Sequence, residues 1–185
     1  PCFYPSTDPV SLMLNSAEHN NITIKLYGVG KEFPGWIHIK VDALKDFLKT
    51  RGESHVLYVD GADSLFADEL NTIENAYKAL NCPPLLMATE LECYPYYELG
   101  PQFPDLGPYR YPNAGQFLGH REYIIHCLTV LQNKWSHLGG NDQGWWQKAM
   151  LAGDVVVTLD STCRIFQTMS GGADKHIKVG LGSVH

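Results

Sequence analysis

The chain has 185 residues, long enough for one domain with a sizeable core. Its hydrophobic content of 44% is ordinary for a globular protein, and no apolar run is long enough to span a bilayer. A net charge of −6 with no Lys/Arg-rich run argues against a nucleic-acid binder, so an anionic ligand must be met by a few local cations or by a metal.

The chain opens on Pro1-Cys2-Phe3-Tyr4-Pro5, which is not a signal peptide. Pro9 to Asn20 reads as a helix with Val10, Leu12, Met13, Leu14 and Ala17 as its apolar content. Ile22 to Tyr27 alternates and is β-branched, which predicts a strand. Gly28-Val-Gly30 follows, but Phe33 stands where a dinucleotide fingerprint needs its third glycine, so a loop is expected through Trp36. Val41, Leu44, Phe47 and Leu48 share a helical face, and that helix is expected to end near Gly52. The run His55 to Val59 reads as a buried central strand. Leu70, Ile73, Tyr77 and Leu80 mark a second amphipathic helix with Asp68 as its N-cap, and Pro83-Pro84 stop it. Leu85 to Thr89 is another buried strand.

Glu90 to Pro112 is rich in Pro, Tyr and Gly, and loops of this length in compact domains are often functional. A helix is expected from His120 to Trp135, and another opens at Gly139-Gly-Asn141-Asp142 and closes at Gly153. Val155 to Leu159 and Arg164 to Gln167 read as strands, and the tail from Ser170 is glycine-rich. Strands alternate with helices, so the class is α/β with a mostly parallel central sheet flanked by helices. The five cysteines, Cys2, Cys82, Cys93, Cys127 and Cys163, are odd in number and lack zinc-ribbon spacing, so free buried thiols are expected. That count favours a cytoplasmic setting, with the ER lumen or secretory pathway as the alternative.

The chemistry concentrates where the strand 55–59 ends in Asp60-Gly-Ala-Asp63. Two carboxylates this close at a strand end cost stability unless a cation lies between them, and a hard divalent ion suits oxygen ligands. The stretch by itself fits a plain strand and turn slightly better, with Asp63 at the surface. Asp142 fits a helix N-cap, Asn113 a turn, Glu90 a solvated strand end and Lys40 a surface lysine. There is no G-x-S-x-G elbow, Walker A loop or H-E-x-x-H motif.

Taken in order, the chain resembles the glycosyltransferase domain of the procollagen lysyl hydroxylases, with the collagen galactosyltransferases as more distant relatives. The likeness is carried by Ser16-Ala-Glu18, Gly28-Val-Gly30-Lys-Glu32, Lys40-Val41 with Leu44-Lys45, and Val59-Asp60-Gly-Ala-Asp63. It continues through Ala88-Thr-Glu90, Cys93-Tyr94-Pro95, Asn113-Ala-Gly115 with Phe117 and Gly119, and Asp142-Gln143. Its most specific part is Thr158-Leu-Asp160 with Cys163-Arg-Ile-Phe-Gln167. The resemblance implies one GT-A domain, a Rossmann-like nucleotide-diphospho-sugar fold, over residues 1–185 and truncated at both ends. It implies transfer of a hexose, glucose or galactose, from a UDP-sugar to an acceptor hydroxyl with Mn²⁺ or Mg²⁺. By the same likeness Asp60 and Asp63 are metal ligands, Lys40, Glu90 and Tyr94 bind the donor, and Asn113 and Asp142 are catalytic.

The chain departs from the family in four places, one of them Tyr94, which stands where the family's loop has a Trp. Ala62 replaces a Tyr that stacks on the base. Only Asp142 remains of an acidic run before the Asp-Gln pair. The third metal ligand, a His in a His-Gly-Asn-Gly segment, belongs beyond residue 185. These departures keep open a second reading: a non-catalytic GT-A-like module that binds a glycan or a partner.

Overall fold

The computed structural model describes residues 10–29 and 37–169, the side chains of 37–39 excepted. The expected loop at Phe33 to Trp36, Cys2 and the tail from Ser170 lie outside the described residues. The elements are helix α1 (Ser11–His19), helix α2 (Ile37–Lys49), strand β1 (His55–Val59), helix α3 (Leu70–Ala79) and strand β2 (Leu85–Glu90). Strand β3 (Tyr111–His120), helix α4 (Arg121–Trp135), helix α5 (Asp142–Leu151) and strand β4 (Thr158–Leu159) follow. The α/β class and the GT-A-like plan, an open four-stranded sheet between helices, hold.

The sheet order is β1-β3-β2-β4. β3 runs antiparallel to both neighbours, and β2 pairs with β4 in parallel. β1, β2 and β4 therefore share one direction, as a mostly parallel sheet requires. The pairings correct that expectation: the reversed strand β3 lies between β1 and β2, so most ladder contacts are antiparallel. β3 went unread because Pro112, Asn113, Gly115 and Gly119 are depleted in strands. Its position between two partners overrides that preference. At Gly119 an added Cβ would lie 2.4 Å from the Pro84 carbonyl, so only glycine allows this approach of β2.

β2 rather than β1 is the fully buried strand. Leu85 and Met87 face α2, α4 and α5 together with Phe117, Leu128, Trp145 and Trp146. Leu86 and Ala88 face the opposite side, against Tyr77 of α3, Leu118 and Phe166. A strand covered on both faces needs no alternation, which is why its sequence is a continuous apolar run. Trp145 and Trp146 are core, as helical spacing predicted.

Other local expectations change. Residues 22–27 carry no strand ladder. The N-cap of α3 is Glu69, and Asp68 only accepts a bond from the Glu69 amide at 2.8 Å. Residues 164–167 form no strand. Instead they wrap the buried carboxylate of Asp160, which accepts from the backbone amides of Arg164, Ile165 and Phe166 at 2.8–2.9 Å. Cys82, Cys93, Cys127 and Cys163 are free thiols, as expected, but only Cys93 and Cys127 are buried, and Cys82 and Cys163 are half-buried. No helix among the described residues is long and apolar enough to cross a membrane.

Candidate functional site

A register break in β3 shapes the site. Met87 pairs with Phe117, whereas Ala88 pairs with Asn113, so residues 114–116 have no partner on β2. This bulge lies beside the end of β1, where the Asp60 amide donates to the Gly115 carbonyl at 2.7 Å. Bulges re-aim side chains next to functional sites. Here the bulge and the β1 terminus form one wall of a cavity of about 510 Å³. Lys40 of α2, the Asp63-Ser64 turn, the N-terminus of α5 and residues 167–169 form the rest.

Five of the seven predicted site residues line this cavity: Lys40, Asp60, Asp63, Asn113 and Asp142. They come from α2, the loop after β1, β3 and α5, elements far apart in sequence. Asp63 is exposed at the rim. The Lys40 ammonium bridges two carboxylates, 3.0 Å from Asp60 Oδ2 and 3.1 Å from Asp142 Oδ2. The Tyr58 hydroxyl donates to Asp60 Oδ1 at 2.6 Å. Asp142 does not cap α5; Asn141 does, its side chain accepting from the Gln143 amide at 2.8 Å. That leaves Asp142 Oδ2 for Lys40.

Burial and the neighbouring charges shift the titrating groups of the site. Asp142 is pushed above the usual carboxylate range by burial, a shift that Lys40 opposes and Asp60 reinforces. For Lys40, burial favours the neutral amine, but Asp142 and Asp60 more than reverse this and hold it above the ordinary lysine value. The Tyr58 phenol is raised by burial first, then by Tyr27 and Asp60, so it stays a hydrogen-bond donor.

Glu90 and Tyr94 do not reach the cavity wall. Glu90 lies buried behind it, accepting from Asn113 Nδ2 at 2.8 Å and Gln143 Nε2 at 2.5 Å. Tyr94 is 48% exposed, and its carbonyl accepts from Gln143 and Gln147. Gln143 thus ties α5 to β2, to the Tyr94 loop and, through its Oε1, to the Ala114 amide at 3.1 Å. Gly144 permits this packing, since an added Cβ there would meet the Tyr96 ring at 2.6 Å.

Sequence reasoning gave Gln143 no role and missed Tyr58, Ser64, Gln116 and residues 167–169. Tyr58 had a signal: two residues before Asp60 on a strand, it shares that residue's side. Gln167 stood in the segment most specific to the resemblance but carried no sign of lining a cavity; the Asp160 turn and bonds from Gln167 to Tyr109 and from Thr168 to the Thr89 carbonyl bring residues 167–169 to the wall.

Among the described residues, no group of three or more His, Cys, Asp or Glu side chains is placed to hold a metal ion. The wall nevertheless presents hard oxygen donors: Asp60, Asp63, Asp142 and the Ser64 hydroxyl. These are the donor type that Mg²⁺ or Mn²⁺ takes, one or two carboxylates with the rest of the shell from water and phosphate; in this structure both oxygens of Asp60 and of Asp142 are engaged by protein donors.

A model of the PLOD GT domain matches residues 5–182. The bovine procollagen-lysine,2-oxoglutarate 5-dioxygenase 1 is 27% identical over 183 residues, covering 91% of this chain and 25% of that protein. The Caenorhabditis elegans multifunctional procollagen lysine hydroxylase and glycosyltransferase is 26% identical over 184 residues, covering 90% and 24%. The human multifunctional procollagen lysine hydroxylase and glycosyltransferase LH3 is 24% identical over 182 residues, covering 88% and 23%. The chain spans about a quarter of the length of these relatives. With the α/β fold and a family match over nearly its whole length, the chain belongs to the family of PLOD glycosyltransferase domains.

Proposed function

We propose that this domain transfers a hexose, glucose or galactose, from a UDP-sugar to an acceptor hydroxyl with the help of Mn²⁺ or Mg²⁺. The observation that carries the reading is the gathering of Lys40, Asp60, Asp63, Asn113 and Asp142 on one cavity wall from four separate parts of the chain. Asp60 and Asp63 would hold the ion, which when bound neutralises the diphosphate and stabilises its departure. Lys40 supplies a further positive charge to the diphosphate. Asn113, one N–H of which is committed to Glu90, turns its remaining N–H toward a sugar hydroxyl. Asp142 orients the sugar or the acceptor from the start of α5. Glu90 acts through Asn113 and Gln143 rather than by contact, and Tyr94 acts through its backbone carbonyl. Fixing these groups before the ligand arrives is what a positioning site needs.

The relatives' names refer to procollagen, which favours the ER lumen or secretory pathway. The cytoplasmic expectation rested on the opening residues not reading as a signal peptide and on the odd thiol count, and it finds no support in them.

The test is turnover of UDP-glucose and UDP-galactose with and without Mn²⁺, alongside calorimetry with UDP. Metal-dependent UDP binding with release of UDP from one of the sugars is expected. Absence of UDP binding under both conditions would sink the reading. The non-catalytic alternative draws on the exposed Ala62, which offers no ring to a base. It predicts UDP or glycan binding without turnover.

A further inference from the structure

We propose that Lys40 couples the binding of two ligands in this cavity: its ammonium keeps a divalent cation off Asp60 until an anionic ligand draws it away. The proposal rests on the reading of the cavity as a diphosphate and metal site.

Each of the two buried-side carboxylates has one oxygen tied to the protein. Asp60 Oδ1 accepts from Tyr58, and Asp142 Oδ1 accepts from the Gln143 amide at 3.1 Å. The other oxygen of each is the one Lys40 takes, at 3.0 and 3.1 Å. The ammonium therefore occupies the position from which a metal ion would reach Asp60. A divalent ion on Asp60 Oδ2 and an ammonium in contact with the same atom repel strongly at this range, and the partly enclosed setting screens them less than water would. One must leave.

Lys40 is able to leave. Its charge sits on a four-carbon stem with several rotatable bonds, whereas Asp60 and Asp142 are fixed at a strand end and a helix start. Among the described residues lining the cavity, Lys40 is the only cation. A diphosphate entering there has one side chain to recruit. Recruiting it frees Asp60 Oδ2 toward the cavity, and the metal then takes that oxygen together with the phosphate. Because coupling is reciprocal, each ligand raises the affinity of the other by the same factor. Lys40 thus disfavours loading of the bare ion and favours loading of ion and nucleotide together.

The experiment titrates Mn²⁺ into the full chain with and without UDP, reading free Mn²⁺ by electron paramagnetic resonance. Wild type is expected to bind Mn²⁺ weakly alone and much more tightly with UDP. Lys40→Met should bind Mn²⁺ alone at least tenfold tighter, and the gain conferred by UDP should shrink at least tenfold. Lys40→Arg, which keeps the charge, should track wild type for Mn²⁺ alone. Lys40→Gln repeats the test with a polar side chain should the Met variant fold poorly. If the neutral variants bind Mn²⁺ alone no tighter than wild type while UDP and Mn²⁺ still bind together, the coupling is overturned and the reading of the cavity stands. If wild type binds neither ligand, both fall.

Discussion

Two pairs of carboxylates in this molecule are held in opposite ways. Glu90 and Asp160 are buried and accept from neutral amides: the side chains of Asn113 and Gln143 for Glu90, three backbone amides for Asp160. Asp60 and Asp142 face a cavity and share one ammonium on a flexible stem. Fixed dipoles in a buried setting cannot exchange partners without leaving unpaired groups, so the first pair is architecture. A flexible point charge at a cavity wall can be replaced by a ligand, so the second pair is open to chemistry.

This contrast breaks first at Asp160. Asp160→Ala should strip three backbone amides of their acceptor and cost about 3–5 kcal/mol in urea unfolding, because buried donors lose their partners together. A loss under about 1 kcal/mol would show that residues 160–167 do not depend on this carboxylate. Glu90→Ala should cost about 2 kcal/mol and also weaken UDP binding, since Asn113 and Gln143 lose their common acceptor. Stability loss with unchanged UDP affinity would confine Glu90 to the scaffold.

Gly115→Ala tests the join between the two pairs. Its Cβ would lie 3.0 Å from Asn113 Oδ1 and 3.4 Å from Asp60 Oδ2, tight enough to displace Asn113 by a few tenths of an ångström. About 1 kcal/mol of stability should be lost, with a several-fold drop in UDP affinity measured by calorimetry. Asp60→Asn should cost about 1–3 kcal/mol, because the largely buried Lys40 loses one of its two carboxylates while it keeps Asp142 and the amide oxygen still accepts from Tyr58. Mn²⁺-dependent UDP binding should also fall at least tenfold. The mildest expectation concerns the thiols. Burial pushes Cys127 up to about 12 and Cys93 and Cys163 up to about 11. These three should resist alkylation at pH 8 until the chain unfolds, as read by mass spectrometry.

Much of this was legible in the residues. The apolar face of Val41, Leu44 and Leu48 gave α2, and the run from Leu85 gave β2, because periodicity and continuous burial are written locally. Asp60 and Asp63 stood out because paired acids at a strand end ask for a cation. Strand β3 could not be read, since its Pro112, Asn113 and glycines oppose strand formation and only flanking partners hold it extended. Likewise Asp142 read as a cap on position alone. The tertiary structure assigned the cap to Asn141 and turned Asp142 to Lys40.

The sequence by itself determined the α/β class, the helices, the buried strand β2 and the acidic pair Asp60 and Asp63, because each depends on local pattern or side-chain chemistry; Lys40 and Asp142 stood out only through the family resemblance. Only the tertiary structure decided who partners whom: that β3 enters reversed, that its bulge meets Asp60, and that one lysine serves two acids. Those outcomes depend on contacts between residues distant in the chain, and local pattern holds no record of them.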